Sequence, residues 1–254
     1  MLDPTKRFSD RVENYVKYRP SYPPGVIGLL ELECGLTPAS VIADAGSGTG
    51  ILSEMFLRRG NRVFGIEPNR EMRAAGDRLL APYPNFSSVD ATAESTTLVN
   101  ASVDFITAGQ AFHWFDRERA RAEFARILKP GGWVVLVWNG YRVETSPMMA
   151  DYQNLVLRYG TDYDAVRREV ITCDVENFYA PSVCKCARFE FQQIFDYPGL
   201  EGRLLSSSFA PEPGHPDYKP MLRELRKIFD DHQKDGQVVF HYETELYYGQ
   251  LSAR

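Results

Sequence analysis

The sequence predicts an α/β fold, a doubly wound and mostly parallel sheet, and three observations carry that prediction. Strand-like apolar runs alternate with helical patterns four times over residues 40–138 and close on a fifth strand; by the right-handed crossover rule, such β-α units wind a parallel sheet. The first strand runs straight into Gly46-Ser47-Gly48-Thr49-Gly50, a turn whose residues without Cβ accept positive φ and let a ligand approach the backbone. Residues 133–138 are nearly all Val, Leu and Trp, as a central strand covered on both faces should be.

The chain opens with an aromatic segment, residues 7–24, carrying Phe8, Tyr15, Tyr18 and Tyr22 and closed by Arg19-Pro20 and Tyr22-Pro23-Pro24. Such density needs a surface to bury against. Val26, Leu29, Leu30 and Leu32 then suit a short amphipathic helix, with Gly35 after it. The first strand is expected at 40–45. After the glycines, a helix shows Leu52, Met55 and Phe56 on one face and ends at Gly60-Asn61. Residues 62–67 form the second strand, with Glu67 at its C-terminal tip, near the spacing at which a β-α-β unit sets an acid against a ribose. Pro68-Asn69 starts a helix through Met72 and Leu79-Leu80, and residues 86–89 are a third strand ending in Asp90.

The fourth strand covers 103–108 and leads into the loop Gly109-Gln110-Ala111-Phe112-His113-Trp114-Phe115. Asp116 caps the next helix, in which Ala120, Phe124, Ile127 and Leu128 recur at helical spacing until Lys129-Pro130-Gly131-Gly132 stops it. Past Asn139 the texture changes. Residues 148–159 and 163–171 read as helices, with no strand until about Lys185, so this insertion is expected to cover the ligand edge of the sheet. Residues 188–195 alternate as a strand with one polar face. A short helix at 199–208, a proline-rich loop at 211–220, a helix at 221–233 and a last strand at 237–248 complete the chain.

Composition narrows the function. The 254 residues suit one large domain with a substantial core. Lys+Arg 29 against Asp+Glu 34 gives a formal charge of −5, the wrong sign for affinity that rests on neutralising phosphates, so nucleic acid is disfavoured as a partner. The first residues have no apolar core of a signal peptide, and no run approaches the roughly 18 apolar residues of a membrane span. A soluble, cytoplasmic protein, monomeric or homodimeric, is expected. Cys34, Cys173, Cys184 and Cys186 are too few and too oddly spaced for a disulfide framework or a zinc site, and read as reduced core thiols.

The glycine turn is expected to hold a nucleotide-like ligand, but it is G-x-G-x-G. The dinucleotide fingerprint would want its third glycine where Ile51 stands. The run Asp44-Ala45-Gly46-Ser47-Gly48-Thr49-Gly50 resembles the first motif of class I S-adenosylmethionine-dependent methyltransferases of the type 11-like kind. The resemblance is strong over residues 40–140 and looser beyond, and it implies a seven-stranded sheet with one late strand returning antiparallel. It also implies one methyltransferase domain over 1–254: a lid and helix at 1–38, a cofactor-binding core at 39–140, a helical cap at 141–184, and C-terminal strands and helix at 185–254.

S-adenosylmethionine makes separate demands on the positions so identified. Its ribose diol calls for a carboxylate, here Glu67 with Pro68 beside it, and its adenine amine for an acceptor, here Asp90, with the Ala91 N–H facing the ring. Its amino acid end calls for backbone groups of the turn, Gly46, Ser47 and Gly48, and a cation for its carboxylate, Arg19. Gln110 also stands where the family contacts the cofactor. Methyl transfer from a sulfonium depends on orientation and desolvation and needs no metal; the sequence holds no metal-ligand cluster. The loop after the fourth strand lacks the Asn/Asp-Pro-Pro-aromatic signature of amino-methylating enzymes, and its His113 is the titratable group expected near the methyl, either catalytic or packed. Tyr15, Tyr18-Arg19-Pro20 and Tyr22-Pro23 with Phe112-His113-Trp114-Phe115 are similar to the trans-aconitate methyltransferase-like subgroup, which implies a small carboxylic acid as acceptor. Two other functions use the same turn. An NAD-dependent oxidoreductase would want Gly or Ala at position 51 and a Tyr-x-x-x-Lys not evident here. A non-catalytic S-adenosylmethionine-binding module would need no covered acceptor pocket.

Overall fold

The computed structural model describes residues 12–161 and 168–252. Phe8 and residues 162–167, the latter spanning the start of the helix expected at 163–171, lie outside them. One sheet holds β1 (Val41–Ala45), β2 (Arg62–Ile66), β3 (Phe86–Val89), β4 (Val103–Gly109), β5 (Leu128–Tyr141), β6 (Lys185–Phe195) and β7 (Val238–Gly249). Its order is β3-β2-β1-β4-β5-β7-β6. The pairs from β3 to β5 are parallel, whereas β7 runs antiparallel to both β5 and β6. The expected doubly wound, mostly parallel, seven-stranded sheet is therefore what the chain forms. The helices are α1 (Val12–Tyr18), α2 (Gly25–Cys34), α3 (Ile51–Leu57), α4 (Arg70–Leu80), α5 (Arg117–Ile127), α6 (Pro147–Tyr159), α7 (Arg168–Tyr179), α8 (Tyr197–Leu205) and α9 (Tyr218–His232).

The period-two geometry of a strand sends alternate side chains to opposite faces, and β5 divides its residues accordingly. Val134, Leu136 and Trp138 join Ala43, Ile106, Phe124 of α5 and Phe178 of α7 in one core. Val135 and Val137 join Ile42, Phe105, Leu30 of α2 and Phe56 of α3 in the core on the other face. A third cluster gathers α6, α8, α9 and the ends of β6 and β7 around Tyr152, Leu200, Leu225, Phe240 and Tyr242. The segment expected as one helical cap at 141–184 is thus shared out: α6 packs with α8 and α9, while α7 lies against α5 on the sheet. No helix among the described residues is long and apolar enough to cross a membrane.

Several boundaries move for identifiable reasons. Lys129-Pro130-Gly131-Gly132, expected as a helix stop, is the start of β5, with Gly131 at φ 78° and a register shift opposite Val103 and Phe105. Part of the aromatic opening segment is the helix α1, which has no buried residue of its own and rests on α8. Tyr18 occupies the space that a side chain at Gly202 of α8 would need. Of the cysteines read as core thiols, Cys34 is buried, but Cys184 is half-buried and Cys186 exposed on the edge strand β6.

Two glycines test this packing in opposite directions. Gly50, at φ 88°, would drive a Cβ into Leu80 of α4, so Gly50→Ala is expected to destabilise the protein by about 1–3 kcal/mol. Gly28, on the exposed face of α2, has nothing within 4 Å of a Cβ, and Gly28→Ala is expected to stabilise by about 0.5–1 kcal/mol. Urea denaturation of the two variants reads both signs.

Candidate functional site

The turn between β1 and α3 is fixed by the end of β2. The Gly46 and Ser47 amides both donate to the Ile66 carbonyl, at 2.8 and 3.1 Å, and the Gly50 amide closes the turn on the Ser47 carbonyl at 2.8 Å. Gly46, at φ 66°, must lack a side chain because its Cβ would lie 2.6 Å from that of Ala111 in the loop after β4. Across the turn, the Gly48 amide donates to Glu67 Oε2 and the Asn69 amide to Oε1, both at 2.8 Å. Glu67 is buried. Burial raises its pKa, and the two amide donors act against that rise.

Arg73 of α4 ties the neighbouring strand tip to this one. Its Nη1 donates to the Glu67 carbonyl at 2.7 Å and its Nη2 to Asp90 Oδ2 at 2.6 Å. Asp90 is otherwise largely exposed, while Ala91 is buried in the core under α5 and Pro68 is half-buried beside Glu67. Glu67, Pro68, Asp90 and Ala91 therefore share one edge of the site.

On the other side of the turn lies a cleft lined by Tyr15, Arg19, Tyr22, Asp44, Gly46, Ser47, Thr49, Gln110, Asn139 and Arg203, among others. Tyr22 reaches it through a gap left by Gly109, whose Cβ would stand 2.5 Å from the tyrosine oxygen. Gln110, at φ 56°, donates from Nε2 to the Asn139 carbonyl at 3.0 Å. Asn139 in turn holds the N-terminal segment through the Ser21 carbonyl at 3.3 Å. The turn thus joins two groups of residues, one at the tips of β2 and β3 and one in the cleft.

Two buried polar atoms of this cleft, Arg19 Nε and Thr49 Oγ1, have no hydrogen-bond partner among the described residues. Arg19 places Nη2 on the Ser206 carbonyl at 2.9 Å and its guanidinium 5.0 Å from the Tyr15 ring centre. Burial and the nearby charge of Arg203 hold its pKa below the ordinary arginine value. Asp44 accepts from Ser53 Oγ at 2.6 Å and Thr107 Oγ1 at 2.9 Å, and burial pushes its pKa up to about 6.

His113 stands in a 3-10 turn, Phe112–Trp114, with its ring 4.6 Å from that of Trp114, and is not among the residues lining the cleft. The sequence reading passed over Asp44, Thr49, Asn139 and Arg203. Asp44 and Thr49 stand inside the glycine motif itself, whereas Arg203 sits in a helix far along the chain with no local signal.

The geometry agrees with what the chain is similar to. A family model described as a methyltransferase domain matches residues 43–136. An uncharacterized methyltransferase-like protein of Schizosaccharomyces pombe is 32% identical over 246 residues, 94% of this chain and 93% of that one. An uncharacterized methyltransferase of Mycobacterium bovis is 37% identical over 170 residues; the match spans 66% of this chain and 65%, just under two thirds, of that relative. Among solved structures, a candidate type II methyltransferase from Anaeromyxobacter dehalogenans has a TM-score of 0.68 at 22% identity, over 92% of this chain and 98% of that one, which speaks to the fold. The chain belongs to the methyltransferase family.

Asp44 gives this site a measurable pH signature. An acid whose folded pKa is raised binds its proton more tightly when folded, so folding stability falls as pH rises from the ordinary aspartate value of 3.8 to about 6. Above that window the cost is constant, on the order of 3 kcal/mol. Asp44→Asn in the ligand-free protein is therefore expected to melt higher than wild type at pH 7.5, with the gap closing toward pH 4. Thermal scans across that range check it.

Proposed function

We propose that this chain is an S-adenosylmethionine-dependent methyltransferase acting on a small-molecule acceptor, a carboxylic acid in its finer form. The observation that carries the proposal is the Glu67 carboxylate, buried and held by the Gly48 amide where the glycine turn opens onto the cleft. The residues present fit the cofactor. Space left by three glycines at positive φ, and the partnerless Arg19 Nε and Thr49 Oγ1, offer donors where its amino acid end would need them.

S-adenosylmethionine, when bound, supplies a sulfonium-activated methyl group. Glu67 would hold the ribose diol, since each oxygen engaged by one amide keeps capacity for a further hydrogen bond. Asp90 would meet the adenine amine with the oxygen that Arg73 does not take, beside Pro68 and the Ala91 amide. Gly46, Ser47, Gly48 and Arg19 would bind the amino acid carboxylate, and Asp44 would face its ammonium. Gln110 would border the methyl. A proton-accepting role for His113 requires its ring, now against Trp114, to turn toward the cleft.

Calorimetry with the demethylated product, S-adenosylhomocysteine, tests the reading. Wild type is expected to bind it and not NAD or NADP. Glu67→Gln should weaken binding by tenfold or more, as losing a hydrogen bond to a charged group costs about 1.5–3 kcal/mol; NAD binding by wild type would instead support the oxidoreductase alternative.

Within the lid implied at 1–38, the aromatic residues 7–24 are the proposed moving part, and of these 7–11 lie outside the described residues. The remainder supports the reading: Tyr15 lines the cleft from α1, a helix with no buried residue of its own, and Arg19 and Tyr22 line it from the segment that follows. Segments of so little intrinsic stability are those that open locally. Hydrogen exchange over residues 12–24 should slow at least about tenfold with S-adenosylhomocysteine, and equal protection in both states would remove the lid.

A further inference from the structure

Arg203 of α8 is buried, 2% exposed, and yet lines the cleft. Its Nε donates to Tyr242 Oη at 2.9 Å, Nη1 to Ser207 Oγ at 3.1 Å and Nη2 to Tyr141 Oη at 3.4 Å. All three acceptors are neutral hydroxyls, and a guanidinium has five N–H donors. Among the described residues neither Arg203 nor Arg19 pairs with a carboxylate. Arg121 provides a contrast. It is also buried, but its guanidinium donates to the carbonyls of Phe178, Ala180 and Ser252 and does not line this cleft, as a structural arginine should.

Charge balance sharpens the point. A buried cation without a counter-charge is costly, and here two of them face one cleft. Under the function proposed above, on which this inference rests, Arg19 meets the carboxylate of the cofactor's amino acid end. Asp44 faces the ammonium of that same end, and Glu67 is engaged by the neutral ribose diol. Arg203 is then the one cleft cation left over. Tyr141, Phe240 and Tyr242 surround its guanidinium, with ring centres 5.5–5.8 Å away, and fix its plane.

We infer that Arg203 is the anchor for a carboxylate of the methyl acceptor, a specificity-determining residue that fixes the acceptor and leaves cofactor affinity alone. A planar carboxylate matches a planar guanidinium held by neutral hydroxyls. Tyr141, which touches Arg203 from β5, orients the guanidinium and is a positioning residue.

The test is calorimetry on wild type and variants saturated with S-adenosylhomocysteine, using glutarate and propane-1,2,3-tricarboxylate, their amides and glycerol phosphate as probes. A carboxylate should bind wild type, and its amide should bind at least about tenfold more weakly. Arg203→Gln should lose at least about tenfold in carboxylate affinity, the loss of a single charge-assisted bond, with S-adenosylhomocysteine affinity changed less than about threefold. Arg203→Lys should recover part of the loss, and Tyr141→Phe should show a smaller one even if Arg203→Gln does not fold. Equal binding of acids and amides, preference for glycerol phosphate, no carboxylate binding, or parallel loss of both ligands in Arg203→Gln each overturns the assignment. Repeating the carboxylate titrations on ligand-free protein separates the two readings: absence of S-adenosylhomocysteine binding strikes the methyltransferase proposal, while the carboxylate result still judges Arg203.

Discussion

The contact on which the rest depends is the one between the Gly48 amide and the Glu67 carboxylate. It can form only if β1 and β2 are adjacent and in register, since the amides of Gly46 and Ser47 must reach the carbonyl of Ile66 at the same time. That register is supplied by the two hydrophobic cores, which clamp β1 between α2 and α3 on one side and α5 on the other. The site is then less a set of side chains added to a fold than the place where two strand ends satisfy each other's backbone. An amide aimed at a buried carboxylate costs nothing further when a ligand arrives, which is the physical content of preorganisation.

Around that fixed point the cleft is electrically divided. Asp44 sits under the turn with its charge opposed by burial, while Arg19, just past α1, and Arg203 of α8 approach from the other side, and burial together with the charge of Arg203 lowers the pKa of Arg19. Such an arrangement stores unfavourable electrostatics in the empty protein, and a ligand of matching charges relieves it. Proteins commonly hold strain of this kind where they bind. It explains why the segments contributing the arginines are peripheral and the acid belongs to the central strand: the acid needs rigid hydroxyl donors, Ser53 and Thr107, and the cations need only reach.

What was legible in the sequence follows period and turn chemistry. The alternation of β1 to β5 with their helices, the glycine turn and the carboxylate at the tip of β2 are local patterns, and each was readable before any coordinates. The start of β5 was not, because Pro130-Gly131-Gly132 is a helix stop by propensity and becomes strand through pairing with β4. Helix α1 was missed since its formation depends on docking to α8, and the expected cap at 141–184 came apart because its two helices follow different partners. Arg203 could not be found at all from the chain: its burial, its tyrosine surroundings and its nearness to Arg19 are properties of contacts between distant segments.

The notch at Gly202 carries a consequence for how this family can diverge. Tyr18 fills the volume where any larger residue at 202 would project, and the next residue along α8 is Arg203. A homologue with alanine or serine at 202 must therefore carry a smaller residue at 18, or hold its opening helix elsewhere and with it the arginine that follows. Positions 18 and 202 are expected to covary across an alignment as a size-compensating pair, and lineages that break the pair should be those whose acceptor differs.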